Sequence, residues 1–310
     1  MRAASQSRLG GPEVLETVDL TRPVPRAGEA LVQVHRSSIN PTDVKHRQLG
    51  RYLGAPPFTL GWDVAGYVAA VGDGVAHLEP GERVFGMLPY PYGAGAHAEY
   101  VAAPSRCFVA VPAAVDLDQA GVAPLVGLTG YQAVLEIGRL RQGQTVLING
   151  AGGAVGSASA QIARSSGARV VGVASRRSER LLNLVHESMV RDEHEWLQRV
   201  GTADLVIDTV VADGGAPILE AMREGARYVS LLPGLFDVGA FRAARARGVD
   251  ARSMLVSADH AGMQRVAELM ASGMLTFTIA QQFGLDEIRA AHAYFESPER
   301  DFGRVLVTVV

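Results

Sequence analysis

The chain has 310 residues, of which 48% are hydrophobic and 20% charged, with a formal net charge of −3. That length suits two domains or one large one, and the apolar fraction can bury a sizeable core. The near-neutral balance gives no support to a nucleic-acid or membrane partner, and the single cysteine, Cys107, excludes an intrachain disulfide framework and a cysteine-built zinc site.

Residues 1–16 carry charge with no apolar run behind it, so no secretory leader is expected and the cytoplasm is the expected location. The first 118 residues are rich in strand signals. "EALVQVHRSSI", "DVAGYVAAVGDGV", "PGERVFGML", "AHAEYVAAP" and "CFVAVPA" are short β-favouring runs punctuated by Gly and Pro, as in a compact β barrel-like domain. "DLDQAGVAPLVGLTGYQAVLEIGRL" then reads as helical. From there strands and helices alternate: "TVLIN", helix 154–166, "ARVVGVA", helix "RSERLLNLVHE", "ADLVIDTV", helix "GAPILEAMRE", "ARYVSLL" and "ARSMLV". Alternation with apolar strands predicts a parallel sheet covered on both faces, a doubly wound α/β domain over 119–272. "HAGMQRVAELMASG" is a predicted helix. "TFTIAQQF", "LDEIRAAHAYFES" and "GRVLVTVV" resemble the first part in style, so 273–310 is expected to complete the 1–118 domain. The charge-free stretches 119–135 and 145–163 are broken by polar residues, Gly or Pro and read as buried soluble segments rather than membrane spans.

The most informative stretch is "VLINGAGGAVGSASAQIA", residues 146–163. Gly150, Gly153 and Gly156 form G-x-x-G-x-x-G between a strand and a helix, with Gly152 added. Without side chains there, amides at the helix start (Ala154, Val155, Gly156) can face a pyrophosphate, aided by the helix dipole. The last glycine lets helix and strand pack closely. At the end of the next strand an NAD site wants an acid for the ribose 2′-hydroxyl. Here stand Ser175, Arg176, Arg177 and Arg180, and no acid precedes Glu179. Arginines at a helix start oppose its dipole unless an anion joins them, and a 2′-phosphate suits their planar forks. NADP(H) is therefore expected over NAD(H).

Taken in order, "GGPEVLE", "SSINPTDVKHRQLG", "LGWDVAGYVAAVGDGV", "GERVFGM", "GLTGYQAVLE", the glycine stretch and "DLVIDTV" resemble the medium-chain dehydrogenase/reductase superfamily, and within it the zinc-free quinone oxidoreductase, zeta-crystallin-like branch. The resemblance implies a GroES-like β-barrel catalytic domain beside a Rossmann domain, with the active cleft between them. It implies that Asn40 and Asp43 lie beside the nicotinamide and that Tyr52 borders the substrate. Thr129 would pack under the cofactor, Leu232 and Gly234 would hold the carboxamide, and Arg304 would be a basic cofactor contact. Zinc-containing members carry a cysteine and a Gly-His-Glu where this chain has "NPTD" and "GWD". Asn40 and Trp62 are poor zinc ligands, so no metal is expected. His35, His46, His77 and His97 are expected on strand or loop surfaces.

The expected chemistry is hydride transfer to a quinone or an α,β-unsaturated carbonyl, whose conjugation spreads the developing charge without a Lewis acid. Asn40, Tyr52 and Lys45, the only lysine, are the polar candidates. The proton comes from a tyrosine or from water. The loop 88–97, with Tyr90 and Tyr92, lines the substrate entrance or is an exposed turn. Enoyl or alkenal reduction, or nucleotide binding without turnover as in crystallin-type members, are the alternatives. The resemblance also implies a homodimer joined along "ARSMLV".

Overall fold

The structure is a computed structural model that describes residues 1–178, 184–191, 195–232, 234 and 237–310. The chain divides into two compact units, Met1–Leu125 with Ser257–Val310, and Val126–Val256.

The first unit opens with β1 (Arg2–Gln6), β2 (Leu15–Asp19) and β3 (Glu29–Ile39). Helix α1 (Pro41–Leu49) follows β3 directly. Its boundaries are local chemistry: Pro41 occupies the first helical position, where its missing N–H is no loss, and Gly50 takes a positive φ of 67° after the last turn. The Asp43 carboxylate reaches back to the Asn40 N–H at 2.8 Å. Then come β4 (Phe58–Thr59), β5 (Asp63–Val71), β6 (Arg83–Met87), β7 (Tyr100–Pro104), β8 (Phe108–Ala110) and α2 (Leu117–Val122). Asp116 caps α2 by accepting the Gln119 N–H at 2.7 Å. The single helix predicted over 116–140 is interrupted at Ala123, which keeps helical dihedrals (φ −83°, ψ −40°); the break comes because Pro124 has no N–H to continue the ladder. Helix α3 (Pro124–Tyr131) restarts there and runs into a π-helical stretch, Gln132–Ile137.

The second unit carries β9 (Thr145–Asn149), α4 (Ala154–Ser165), β10 (Arg169–Ala174), β11 (Glu187–Val190), α5 (Trp196–Val200), β12 (Leu205–Asp208), α6 (Ala216–Ala221), β13 (Arg227–Ser230), α7 (Val238–Ala246) and β14 (Asp250–Ser253). Its strands are parallel, in the order β11-β10-β9-β12-β13-β14. The order reverses between β9 and β12, the mark of a doubly wound Rossmann-type sheet. Val146, Leu147, Ile148, Val171, Val173, Val206 and Ile207 are buried on both faces, which is why these strands read as unbroken apolar runs rather than alternating ones. The helix predicted over 177–187 is corrected at its end. Glu187–Val190 is strand β11, and residues 179–183 lie outside the described ones. Parallel pairing of Gly172 with Ser188 and of Ala174 with Val190 extends the sheet there, which a short half-buried strand does not announce in sequence.

The chain then returns to the first unit through α8 (His260–Ala271), β15 (Ile279–Gly284), α9 (Ile288–Glu296) and β16 (Arg304–Thr308). β16 lies between β3, antiparallel with Val305 opposite Ile39, and β15, parallel. The resulting seven-stranded sheet runs β15-β16-β3-β5-β6-β8, with β7 also on β3, beside a three-stranded sheet β2-β1-β4. The boundaries read from sequence, 118/119 and 272/273, move to 125/126 and 256/257. The second shift has a physical cause: α8 packs on β8, so that helix belongs with the first unit.

Candidate active site

The glycine turn follows β9. Gly150 has φ +92°, which an L side chain rarely adopts, and a Cβ there would stand 2.0 Å from Thr209 Oγ1. The N–H groups of Gly150 and Ala151 donate to Val173 O at 2.8 and 3.0 Å, and Gly153 N–H donates to Gly150 O at 2.9 Å, which folds the bend tightly. Gly156 is the strictest position, since its Cβ would lie 2.1 Å from Gly150 O. Gly152 faces Ser178, and Gly153 is the N-cap of α4. The first helical bond of α4 runs from Ser157 N–H to Gly153 O. The amides of Ala154, Val155 and Gly156 therefore have no acceptor within the helix, the arrangement that suits an anionic diphosphate.

A second anchor was not legible in sequence. The buried Asp208 carboxylate, at the end of β12, accepts from Asn149 Nδ2 at 2.9 Å, Tyr228 Oη at 2.8 Å, Val210 N at 3.0 Å and Val211 N at 2.9 Å. Asn149 also accepts from Arg191 Nε at 3.1 Å. These bonds tie the ends of β9 and β12, the rim from which the glycine turn projects, to Tyr228 of β13. Burial, with the Asp208 charge and hydrogen bond, drives the Tyr228 phenol far above its usual range, so it stays a donor.

The other sequence-predicted residues of this unit are scattered around that rim. Ser175 and Ser178 form a short turn after β10, Oγ to Oγ at 2.9 Å, and Arg176 and Arg177 between them are exposed. Arg180 lies outside the described residues. Thr129 is buried in α3. Leu232 follows β13, its N–H 3.4 Å from Ser230 Oγ, and Gly234 is exposed with open space where a Cβ would stand.

In the first unit, Asn40, Asp63 and Arg304 form one buried network. Asn40 Nδ2 donates to Asp63 Oδ2 at 2.7 Å, while Asn40 Oδ1 accepts from the Arg304 guanidinium at 2.8 Å. Arg304 also donates to Val122 O at 3.1 Å, to Asp63 Oδ2 at 3.2 Å and to Ser38 Oγ, which in turn donates to Asp63. Asp63 Oδ1 accepts the Leu125 N–H at 2.6 Å. Both side-chain arms of Asn40 and the guanidinium of Arg304 are thus committed within their own unit. Asp63 and Ser38 are members that sequence reasoning missed. Asp43, also wholly buried, accepts from Asn40 N and Gly61 N, both at 2.8 Å. Burial pushes its carboxyl up to about 7, reinforced by the Asp63 charge and opposed by those two N–H groups and by Arg304.

Beside α1 lies an aromatic cluster. The His46 ring stands 4.9 Å from Trp62 and 5.8 Å from Tyr52; Tyr52 meets Tyr92 edge-on at 5.8 Å, and Trp62 meets Tyr90 edge-on at 5.5 Å. Tyr52 is 43% exposed and Tyr92 72%, whereas Trp62 and His46 are buried. The surface placement predicted for His46 and His97 is corrected. His46 shares the inner face of α1 with Asp43 and Arg47, and His97 follows the segment whose backbone bonds Leu60 and Gly61. Thr42 Oγ1 sits 3.1 Å from Tyr90 Oη and 3.1 Å from His46 Nδ1, and His46 Nδ1 is 2.8 Å from Thr42 O. Lys45 is half-buried, and burial, aided by Arg51, lowers its pKa. Among the described residues no group of three or more His, Cys, Asp or Glu side chains is arranged to hold a metal ion.

Comparison with known proteins adds a third line. Residues 26–113 match the family model described as alcohol dehydrogenase GroES-like domain, and residues 186–307 the one described as zinc-binding dehydrogenase. The quinone oxidoreductase of Rattus norvegicus is 33% identical over 219 residues, 68% of this chain and 65% of that protein, just under two thirds of its length. That of Sus scrofa is 31% identical over 241 residues, 74% of this chain and 72% of that protein. The trans-enoyl reductase pgmF of Aspergillus terreus is 29% identical over 313 residues, 91% and 86% of the two chains. Among solved structures, the quinone oxidoreductase from Coxiella burnetii superposes with a TM-score of 0.90 at 29% identity, covering 100% of this chain and 99% of that one.

Proposed function

This chain belongs to the quinone oxidoreductase branch of the medium-chain dehydrogenase/reductase superfamily, and from that we propose that it is an NADPH-dependent, zinc-independent reductase of quinones or α,β-unsaturated carbonyls. The observation that carries the nucleotide half is the turn at Gly150–Gly156, where a Cβ at Gly156 would strike Gly150 O and the first amides of α4 have no helical acceptor. There Gly150, Gly152, Gly153, Ala154, Val155 and Gly156 would hold the pyrophosphate. Ser175, Arg176 and Arg177 would grip a 2′-phosphate through charge-assisted forks. Thr129, Leu232 and Gly234 would border the rest of the dinucleotide.

When bound, that dinucleotide supplies a hydride. The chain's own work is to orient the acceptor, exclude water and meet the negative charge that develops on its oxygen. Asn40 and Trp62 are unsuited as zinc ligands, so the chemistry favours acceptors whose conjugation spreads that charge. The aromatic side chains of Tyr52 and Tyr90, the latter backed by the buried Trp62, suit a flat ring. Tyr52 and Lys45 are polar candidates at this wall; Asn40 and Asp43 would act beneath it as buried supports rather than as contacts.

NADPH oxidation measured against a panel of quinones and enones, with NADH in parallel, tests the reading. Turnover with NADPH and a quinone is expected, and saturable NADPH binding without oxidation of any acceptor overturns it in favour of a binding protein. The similarity to a trans-enoyl reductase over 91% of this chain supports a second reading, reduction of an enone on a biosynthetic intermediate, and the same panel separates the two. The reading also includes a cytoplasmic homodimer joined along β14, an edge strand whose outer side pairs with no other strand among the described residues. Sedimentation as a monomer at micromolar concentration overturns that part. No helix among the described residues is long and apolar enough to cross a membrane.

A further inference from the structure

The hydrogen-bond chain beside α1 has a fixed direction. Thr42 O is a carbonyl and can only accept, so His46 Nδ1, 2.8 Å away, carries the hydrogen. The same Nδ1–H faces Thr42 Oγ1 at 3.1 Å, and that hydroxyl therefore sends its own hydrogen on to Tyr90 Oη, also at 3.1 Å. Tyr90 is held by its oxygen. Its own hydrogen donates to no acceptor among the described residues. Trp62 Nε1 and His46 Nε2, behind it, are buried with no hydrogen-bond partner among the described residues.

The geometry points to Tyr90 as the group that delivers the proton in the proposed reduction, with Thr42 holding the phenol oxygen and His46 setting the direction of the chain. This rests on the reading of the protein as a reductase of conjugated carbonyls. Reduction adds a hydride from the reduced nicotinamide to the acceptor carbon and leaves negative charge on the acceptor oxygen. The Tyr90 O–H bond then breaks, an O–H bond forms on that oxygen, and the tyrosinate regains a proton from water, which the partial exposure of Tyr90 admits. The Thr42 hydroxyl stabilises the tyrosinate while it lasts. Tyr52, by contrast, makes ring contacts, and its hydroxyl has no hydrogen-bond partner among the described residues. Burial keeps the Tyr90 phenol protonated beyond its usual range, with Thr42 pulling the other way. The charged or titratable groups around it are Tyr52 and Asp43, which raise it, Arg51, which lowers it, and the neutral His46 beyond Thr42.

Steady-state kinetics of the full-length protein with NADPH and a quinone, followed into alkaline pH, decide the matter. For Tyr90→Phe, kcat is expected to fall about tenfold or more with KM changed less than about twofold, and the alkaline decline of wild-type kcat to vanish. For Thr42→Val, that decline moves to higher pH because the tyrosinate loses its donor, and Thr42→Ser restores it. A Tyr90→Phe enzyme that keeps kcat within about twofold, or keeps the alkaline decline, overturns the assignment while the reductase reading stands. Loss of the decline in Tyr52→Phe alone does the same. A wild-type protein that reduces no conjugated acceptor with either nicotinamide overturns the reductase reading, and the proton assignment with it.

Discussion

The guanidinium of Arg304 donates to the side-chain oxygen of Asn40 at 2.8 Å, across 264 residues of sequence. Through Asp63 the two form a closed, buried polar knot that joins β16 to the end of β3 and the start of β5. Arg304→Met leaves the Asp63 carboxylate buried beside Asn40 with its positive partner gone. Breaking a buried pair from one side costs about 3–5 kcal/mol. Chemical denaturation is expected to register a loss of that order, with little change in NADPH affinity measured on the folded fraction. A large loss of affinity with unchanged stability makes Arg304 a cofactor contact instead.

Gly156→Ala tests the nucleotide turn. The added methyl meets Gly150 O at 2.1 Å, so either α4 or the turn must shift. Titration calorimetry is expected to show NADPH binding weakened beyond about a hundredfold, equivalent to about 3 kcal/mol. Far-ultraviolet circular dichroism should keep its folded signature. Unchanged affinity puts the diphosphate elsewhere.

Arg176→Ala separates the two dinucleotides. A hydrogen bond to a charged group contributes about 1.5–3 kcal/mol, so NADPH affinity should fall roughly tenfold to a hundredfold. NADH affinity should hold nearly constant. Equal losses for both remove the phosphate from this turn.

Three buried groups make stability depend on pH, two histidines in one direction and a carboxyl in the other. His97 is held down to about 4 by burial, against a weak hydrogen bond to Ser38 O. Between its folded value and an ordinary value of about 6.5 the unfolded chain binds the extra proton, so this contribution to stability is full above that window and is lost as pH falls through it. His292, in ring contact with His97 and beside Arg47, is depressed by burial and by both neighbouring charges and acts in the same direction. Asp43, pushed up to about 7, does the reverse: the folded protein binds the extra proton, and stability declines as pH rises from the ordinary carboxylate range to its folded value. Denaturant titrations across mildly acidic pH should show a flatter acid limb in His97→Gln and a smaller decline toward neutrality in Asp43→Asn. Parallel profiles in the variants and wild type refute this account.

What sequence could reveal was what is written locally. The doubly wound sheet was legible because "TVLIN", "ARVVGVA" and "DLVID" are apolar on both faces, and the glycine turn because its spacing follows a strand directly. The limits of the units were not, because α8 has a helical pattern that is silent about which sheet it covers. Asp63 and Asp208 were missed for a related reason. Each gathers partners from distant strands, and no short spacing announces such a carboxylate. His46 carried a signal that went unread, since it stands three residues after Asp43 and one before Arg47 on the inner face of one helix.

The position of β16 bears on how the protein is made. This strand fills the gap between β3 and β15, and its arginine neutralises an acid laid down 241 residues earlier. While a nascent chain is still emerging from the ribosome, the Arg36–Ile39 end of β3 has one hydrogen-bonding edge uncovered and Asp63 lacks the Arg304 charge. The Val126–Val256 unit, contiguous in sequence, waits for nothing synthesised later. The order of assembly follows: the inserted unit consolidates first, and the unit that encloses it locks only when its last strand arrives.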